Sequence, residues 1–212
     1  FIIKGPNNAV KGNVKISGAK NSCLPLMAAS ILFKNKVILK NVPFVKDVIT
    51  MKDLLSSLGA KVVFSESKKI MTITNKKNHK LIVPYKLVST MRAGVLTMGS
   101  LLGRYPQKKI KVALGGGCAL GIRDTSWHLA GFKSLGAKNT LDKGYVNIYS
   151  KHGLAGSVYK FPKVTVTDTS NLIMASIFVK GRHIIKNISI EPEVIDLINF
   201  LNNSGANIKF LG

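Results

Sequence analysis

The residue best suited to chemistry in this chain is a cysteine set in a run of glycines. Leu114-Gly115-Gly116-Gly117-Cys118-Ala119-Leu120-Gly121 cannot be the interior of a packed strand or helix, because so many glycines forfeit side-chain contacts and lose the most backbone entropy on ordering. It reads as an exposed loop. A thiol there can ionise or pass on a proton when cations lie near, and Arg123 is five residues on. The plain alternative is an incidental thiol in a loop. Cys23, beside Leu24 on a core-facing helix, reads instead as a small buried residue.

A second set of candidates falls at helix starts. Lys20-Asn21, Met91-Arg92 and Thr167-Asp168-Thr169 precede or open three apolar helical stretches. Helix N-termini present unpaired N–H groups and a positive dipole end, so three of them together, two with a cation, would hold an anion. Taken singly, Lys20 and Arg92 read more readily as solvated surface charges; their symmetric placement brings the two readings level. His79, His128, His152 and His183 have no metal-ligand spacing. His128 falls where Met51 and Leu197 fall in the other repeats, which puts it on a core face. A phosphate loop of the Gly-x-x-x-x-Gly-Lys-Ser/Thr type is absent.

The elements that carry these residues repeat three times. The octet 54–61, Leu-Leu-Ser-Ser-Leu-Gly-Ala-Lys, returns at 131–138 as Gly-Phe-Lys-Ser-Leu-Gly-Ala-Lys and at 200–207 as Phe-Leu-Asn-Asn-Ser-Gly-Ala-Asn, offsets of 77 and 146 residues. Ala29-Ser30-Ile31 with Ile38–Asn41 matches Ala175-Ser176-Ile177 with Ile184–Asn187 at the same 146. Each copy shows a first helix (Cys23–Leu32, Ala93–Leu102, Asn171–Val179) and then a short strand (Val37–Leu39, Ile110–Val112, His183–Lys186). An amphipathic helix follows, as with Val48, Met51, Leu55 and Leu58. An acid opens that helix (Asp47, Asp124, Glu193), suited to the dipole and able to cap. A glycine closes it as a left-handed cap. Strands such as Lys61–Phe64, Ile70–Thr74 and Tyr145–Tyr149 come last. The expected fold is α/β (α+β): three βαβαββ units around a pseudo-threefold axis, helices inside and sheets outside.

Bulk properties narrow the function. The net charge of +23 would suit nucleic acid, but 28 of the 32 basic residues are lysines, scattered and without aromatic interleaving, unlike a single-strand binder. Compositional drift explains the excess better, and nucleic acid is not an expected partner. The longest apolar run, Leu24 to Phe33, is too short to span a bilayer. Two cysteines and no signal peptide fit reduced thiols in the cytoplasm. The chain opens on Phe1 and closes after a strand-like Asn207–Leu211, so a longer natural polypeptide is expected.

Three stretches carry a resemblance. They are Gly12-x-Val14-x-Ile16-Ser17-Gly18-Ala19-Lys20-Asn21-Ser22-x-Leu24-Pro25, then Thr90-Met91-Arg92-Ala93, then Gly116-Gly117-Cys118-x-x-Gly121-x-Arg123. With Glu191-Pro192-Glu193-Val194-x-Asp196, they resemble the UDP-N-acetylglucosamine 1-carboxyvinyltransferases, in order over the whole chain. The resemblance implies transfer of the enolpyruvyl group of phosphoenolpyruvate to the 3′-hydroxyl of UDP-N-acetylglucosamine with release of phosphate, the first committed step of peptidoglycan synthesis. It implies no cofactor and no metal.

It also implies site roles. Lys20 and Asn21 match the pair that holds phosphoenolpyruvate and the sugar, and Arg92 an arginine of the substrate site. Cys118 matches the proton-donating, fosfomycin-alkylated cysteine. Arg123, Asp124, Thr125, Ser126 and Trp127 match the uridine-contacting stretch, and Lys163, Val164, Thr165 and Val166 the diphosphate-contacting one. Residues 1–17 are implied to belong with a second domain, absent from this sequence, that supplies the base and further arginines. Residues 18–212 are implied to be the three-repeat domain. The chain departs from the family at Gly115 (usually Pro), at Asp124-Thr125-Ser126-Trp127 (usually Pro-Val-Asp-Leu) and at Thr167 (usually Gly). A related enolpyruvyl transferase acting on shikimate 3-phosphate, and an inactive or nucleic-acid-binding remnant, are the other readings.

Overall fold

Where the sequence repeats Gly-Ala, the chain makes the same helix stop three times. Gly59, Gly136 and Gly205 have φ of 105°, 90° and 100°, a conformation open to glycine at little steric cost. The following amide turns back each time: Ala60 N–H to Leu55 O at 3.1 Å, Ala137 N–H to Phe132 O at 3.1 Å, Ala206 N–H to Leu201 O at 3.0 Å.

The structure is a computed structural model and describes residues 2, 4–5, 9, 11–88, 91–113 and 125–211, with Arg92 through its backbone. The first copy holds α1 (Lys20–Ala29, prolonged by a 3-10 turn Ser30–Leu32), β1 (Val37–Leu39), α2 (Lys46–Ser57), β2 (Lys61–Ser65) and β3 (Ile70–Thr74). The second holds β4 (Ile82–Val83), a short α3 (Tyr85–Val88) and a 3-10 turn Arg92–Leu96 running into α4 (Thr97–Arg104). It continues with β5 (Ile110–Ala113), α5 (Ser126–Ser134), β6 (Lys138–Asp142) and β7 (Tyr145–Tyr149). The third holds β8 (Val158–Lys160), α6 (Val166–Ser176), β9 (Ile184–Lys186) and α7 (Pro192–Asn202).

One sheet pattern underlies all three copies. The second sheet has the order β4-β5-β7-β6, with β4 parallel to β5 and the other pairs antiparallel. The first copy shows its last three members as β1-β3-β2, and the third its first two as parallel β8-β9. The expected strand Asn207–Leu211 lies in place but has no ladder: residues 207–211 are irregular, because among the described residues no strand lies beside them to pair. Residues 11–17 likewise form no strand, and Val14 and Ile16 are exposed.

The first helices lie inside. All of Thr97–Gly103 in α4 and Asp168–Ala175 in α6 are buried, and the outer strands β2 and β6 are mostly accessible. Gly99 and Gly103, one turn apart, let the two backbones touch. A Cβ on Gly99 would overlap the Asn171 carbonyl oxygen, and one on Gly103 would stand 2.6 Å from Met174 O. Around this contact Met27, Ile31, Met98, Leu101, Leu102 and Met174 are sealed from solvent; burial stabilises by roughly 1.5–3 kcal/mol for each large side chain.

Three boundaries differ from expectation. α1 starts at Lys20 rather than Cys23. The middle first helix starts as a 3-10 turn, where Gly94 O also accepts the Thr97 hydroxyl at 2.7 Å and Val95 O the Asn171 carboxamide at 3.1 Å. α6 starts five residues before Asn171, because Thr169 and Ser170 turn their hydroxyls onto the carbonyls of Thr165 (2.6 Å) and Val166 (3.0 Å), which satisfies polar side chains inside a helix. Asp47 and Glu193 sit in the first turns of α2 and α7, where their charge suits the helix dipole. Asp124 lies outside the described residues. No helix among the described residues is long and apolar enough to cross a membrane.

Candidate functional site

Lys20 stands where helix physics does not want it. It is the first residue of α1, whose first turn has no acid, and a cation there opposes the dipole. The opposition is relieved across the repeat: Lys20 Nζ lies 2.8 Å from Asp47 Oδ2 in the first turn of α2. The lysine side chain stays 46% accessible, so its charge remains available to a ligand. Gly18 sets the approach to this turn, since any Cβ there would overlap Asn41 O, and Asn41 itself is left-handed at φ 55°. Asn21, the next residue, is exposed.

Arg92 opens the 3-10 turn that touches both α1 and α6. The backbone of the Arg92 segment is therefore brought to the helices that carry Lys20 and Asp168. Thr125 is the N-cap residue of α5; Ser126 is exposed, and Trp127 is half-buried against the core. Lys163 and Val164 are exposed just before α6; Thr165 is its N-cap residue and Val166 its first, both partly buried. The helices α5 and α6 pack on each other. Cys118, Arg123 and Asp124 lie outside the described residues, as does the rest of the glycine-rich stretch.

One group of residues joins these segments and was not singled out as a set by sequence. Thr165 Oγ1 donates to Asp168 Oδ2 at 2.7 Å. His128 Nδ1 lies 3.3 Å from Asp168 Oδ1 and 3.1 Å from Asn171 Nδ2. Asn171 reaches Val95 O, and its Oδ1 accepts the Gly99 amide at 2.8 Å. Asp168, His128 and Asn171 are buried. His128 is on the core face, as expected from the repeat, yet it meets polar partners there. The available signal was the run Asp168-Thr169-Ser170-Asn171, polar where the equivalent helices are largely apolar.

Three further titratable groups are buried or half-buried away from these segments. Burial pushes the Cys23 thiol up to about 11, which keeps it protonated and inert. Burial, helped by the charge of Arg104, lowers His79 to about 4; its ring sits between Tyr105 Oη at 2.8 Å and Asn75 Oδ1 at 3.0 Å. Burial also lowers His183, against a hydrogen bond with the Ser157 backbone that raises it. No group of three or more potential metal ligands occurs among the described residues.

The family model described as EPSP synthase (3-phosphoshikimate 1-carboxyvinyltransferase) matches residues 4–211. The chain belongs to this family. Among curated relatives, the UDP-N-acetylglucosamine 1-carboxyvinyltransferase of Pelagibacter ubique is 46% identical over 201 residues, 95% of this chain and 47% of the relative. The protein of the same name from Magnetococcus marinus is 44% identical over 212 residues, 100% of this chain and 49% of its own. The chain thus spans about half the length of the curated relatives it matches. The enolpyruvyl transferase NikO from Streptomyces tendae shares the fold with a TM-score of 0.79 at 16% identity, over 97% of this chain and 47% of that one. EPSP synthase from Acinetobacter baumannii does so with a TM-score of 0.73, also at 16%, over 98% and 47%. One EPSP synthase-type domain of three related units is what this family member presents.

Proposed function

We propose that this chain is the cysteine-bearing domain of an enzyme that transfers the enolpyruvyl group of phosphoenolpyruvate to the 3′-hydroxyl of UDP-N-acetylglucosamine, in the cytoplasm, at the entry to peptidoglycan synthesis. The observation that carries the reading is identity of 42–46% to curated proteins of that name over at least 95% of the chain. Continuity of Ser17-Gly18-Ala19-Lys20-Asn21 with the start of α1 supports it.

The residue roles follow the family resemblance. The sugar hydroxyl adds to C2 of phosphoenolpyruvate while a proton is delivered to C3. Loss of a proton from C3 then expels phosphate and restores the double bond. Cys118 donates the proton to C3. Lys20, Asn21 and Arg92 hold the phosphate and carboxylate charges and stabilise those that develop. Arg123, Asp124, Thr125, Ser126 and Trp127 hold the uridine, and Lys163, Val164, Thr165 and Val166 the diphosphate at the start of α6. Residues 18–212 form the three-repeat domain, and residues 1–17 belong with a second domain that supplies the base for the hydroxyl.

The test uses the polypeptide expressed from the full reading frame, mixed with phosphoenolpyruvate and either UDP-N-acetylglucosamine or shikimate 3-phosphate. Phosphate release is expected with the nucleotide sugar only. Cys118→Ser should lower turnover by about 100-fold or more, the usual contribution of a positioned proton donor, and should abolish the mass increase that fosfomycin leaves on this residue. Release with shikimate 3-phosphate alone, or with neither, would overturn the reading.

A further inference from the structure

The positive charge of the chain is concentrated at one end. Gly103, near the close of α4, marks that end: a Cβ there would meet Met174 O and Ala175 Cα of α6 and Leu32 Cδ2 at the close of the turn that prolongs α1. The C-terminal ends of the three inner helices therefore come together, and the turns that leave them emerge side by side. Each of these turns carries two exposed cations: Lys34 and Lys36, Lys108 and Lys109, Lys180 and Arg182. Two further connections lie against the same end. Residues 75–80 are tied to it by Asn75, whose Nδ2 donates to Phe33 O at 2.8 Å, and they add the exposed Lys76, Lys77 and Lys80. Residues 150–153 are tied to it by the Ser150 amide, which donates to Pro106 O at 2.6 Å, and they add Lys151.

With Arg104, the segments 33–36, 75–80, 104–109, 150–153 and 180–182 hold eleven of the chain's 32 lysines and arginines and no acid. None of these cations forms an ion pair among the described residues. The opposite end, where α1 and α6 start, is different. There acids stand beside the lysines: Asp47 lies 2.8 Å from Lys20, Glu66 shares a turn with Lys68 and Lys69, and Asp142 precedes Lys143. An excess of lysine from composition alone would leave both ends alike. Arg104 has a local task, donating to Ile31 O and Phe33 O at a helix end that favours cations. The lysines of 75–80 and Lys151 follow strands, which have little dipole to complement.

We propose that this basic end is a docking face for an anionic membrane surface. Its shape favours a bilayer over nucleic acid. Turns grouped around one axis spread charge over a face, whereas a single strand follows a groove lined with open aromatic rings. The Tyr105 ring already has Arg104 at 5.5 Å and Lys108 at 5.6 Å, so it is no free platform for a base. Nine of the eleven cations are lysines, which meet headgroup phosphates as point charges and lack the fork of arginine. Phe178, 58% exposed between α6 and Lys180, gives the face an apolar side chain to bury at headgroup level. Docked this way, the chain turns the starts of α1 and α6, with Lys20 and Asp168, toward the aqueous side. The inference is independent of the proposed reaction.

The test is co-sedimentation of the polypeptide expressed from the full reading frame with phosphatidylcholine vesicles that contain about 30% phosphatidylglycerol, which supplies an anionic surface. Binding is expected there, with none to pure phosphatidylcholine and a steep loss as salt rises. Lys34→Gln, Lys36→Gln, Lys108→Gln and Lys109→Gln together should weaken it by about 100-fold or more, since each lysine at such a surface contributes roughly fivefold. Lys46→Gln, Lys68→Gln, Lys69→Gln and Lys143→Gln together remove the same charge from the opposite end. They should weaken binding by less than about threefold, because charges beyond a Debye length are screened. Equal losses in the two variants would reduce the effect to net charge and overturn the proposal. So would a failure to sediment with the anionic vesicles, or tighter binding to a single-stranded oligonucleotide at the same salt.

Discussion

Asn171 Oδ1 accepts the amide of Gly99 at 2.8 Å, across the contact between α6 and α4. Gly99 is the third residue of α4, so its amide is one of the donors that a helix start leaves without a partner. A side chain from another repeat caps it. The same carboxamide donates to Val95 O at 3.1 Å, and it is wholly buried. Asn171→Ala should therefore leave the buried Gly99 amide short of its side-chain partner and cost about 1–3 kcal/mol. Denaturant unfolding measures the loss, and faster exchange of the Gly99 amide localises it. A loss below about 0.5 kcal/mol, the scale of an ordinary surface substitution, would refute the capping role.

His128 poses a question of proton placement. Its Nδ1 lies near both Asp168 Oδ1 and Asn171 Nδ2, and one nitrogen cannot donate to the first while accepting from the second. Placing the hydrogen on Nδ1 gives Asp168 Oδ1, otherwise an unpartnered buried oxygen, its hydrogen bond. Asn171 keeps Val95 O as acceptor. Nitrogen NMR of the imidazole should find Nδ1 protonated and hydrogen-bonded. Asp168→Ala should remove that bond and loosen the first turn of α5, raising amide exchange near Ser126 and Trp127. Under the proposed function it should raise KM for the nucleotide sugar more than it lowers kcat. An unchanged Nδ1 signal in the variant would show that Asp168 does not hold the ring.

How far the sequence speaks can be judged at such residues. The helix stops at Gly59, Gly136 and Gly205 were legible, because a left-handed cap allows few residue types and the type recurs. So was the burial of Cys23. The start of α6 was not, since Asp168-Thr169-Ser170-Asn171 is a polar run whose partners, Val95, Gly99 and His128, come from 40 or more residues away. Lys20 was legible as a candidate, but its partner Asp47 was read only as a helix-start acid, because pairing across helices leaves no local pattern. The strand at 207–211 was over-read: its residues have the right types, but a strand exists only when a neighbour takes its hydrogen bonds.

Acid should weaken the protein through His79. Its native value of about 4 lies below the ordinary 6.5, so between those values the unfolded chain binds a proton that the native state does not. Its contribution is fully present above pH 6.5, falls as pH drops toward about 4, and changes no further below that. The native ring is neutral, with one nitrogen accepting from Tyr105 Oη and the other donating to Asn75 Oδ1. His79→Gln should flatten the dependence of unfolding free energy on pH in this window relative to the parent. Parallel curves for the two proteins would contradict the burial argument.

Lys20 separates stability from function. Its bond to Asp47 joins two partly exposed groups, at 46% and 35% accessible, and such pairs contribute about 0–1 kcal/mol. The helix dipole opposes the lysine besides. Lys20→Met should therefore leave the unfolding midpoint nearly unchanged, and a buried structural role would instead show as a large loss. In the polypeptide from the full reading frame the same substitution should strongly weaken phosphoenolpyruvate binding, because a charge aimed at a phosphate is removed. Lys20→Arg keeps the charge but not the point geometry, and should recover part of the affinity. Raised salt should weaken binding less in Lys20→Met than in the parent, since one of the site's cations is gone. Normal affinity in Lys20→Met with an unchanged midpoint would leave Lys20 as a solvated cation and remove it from the site.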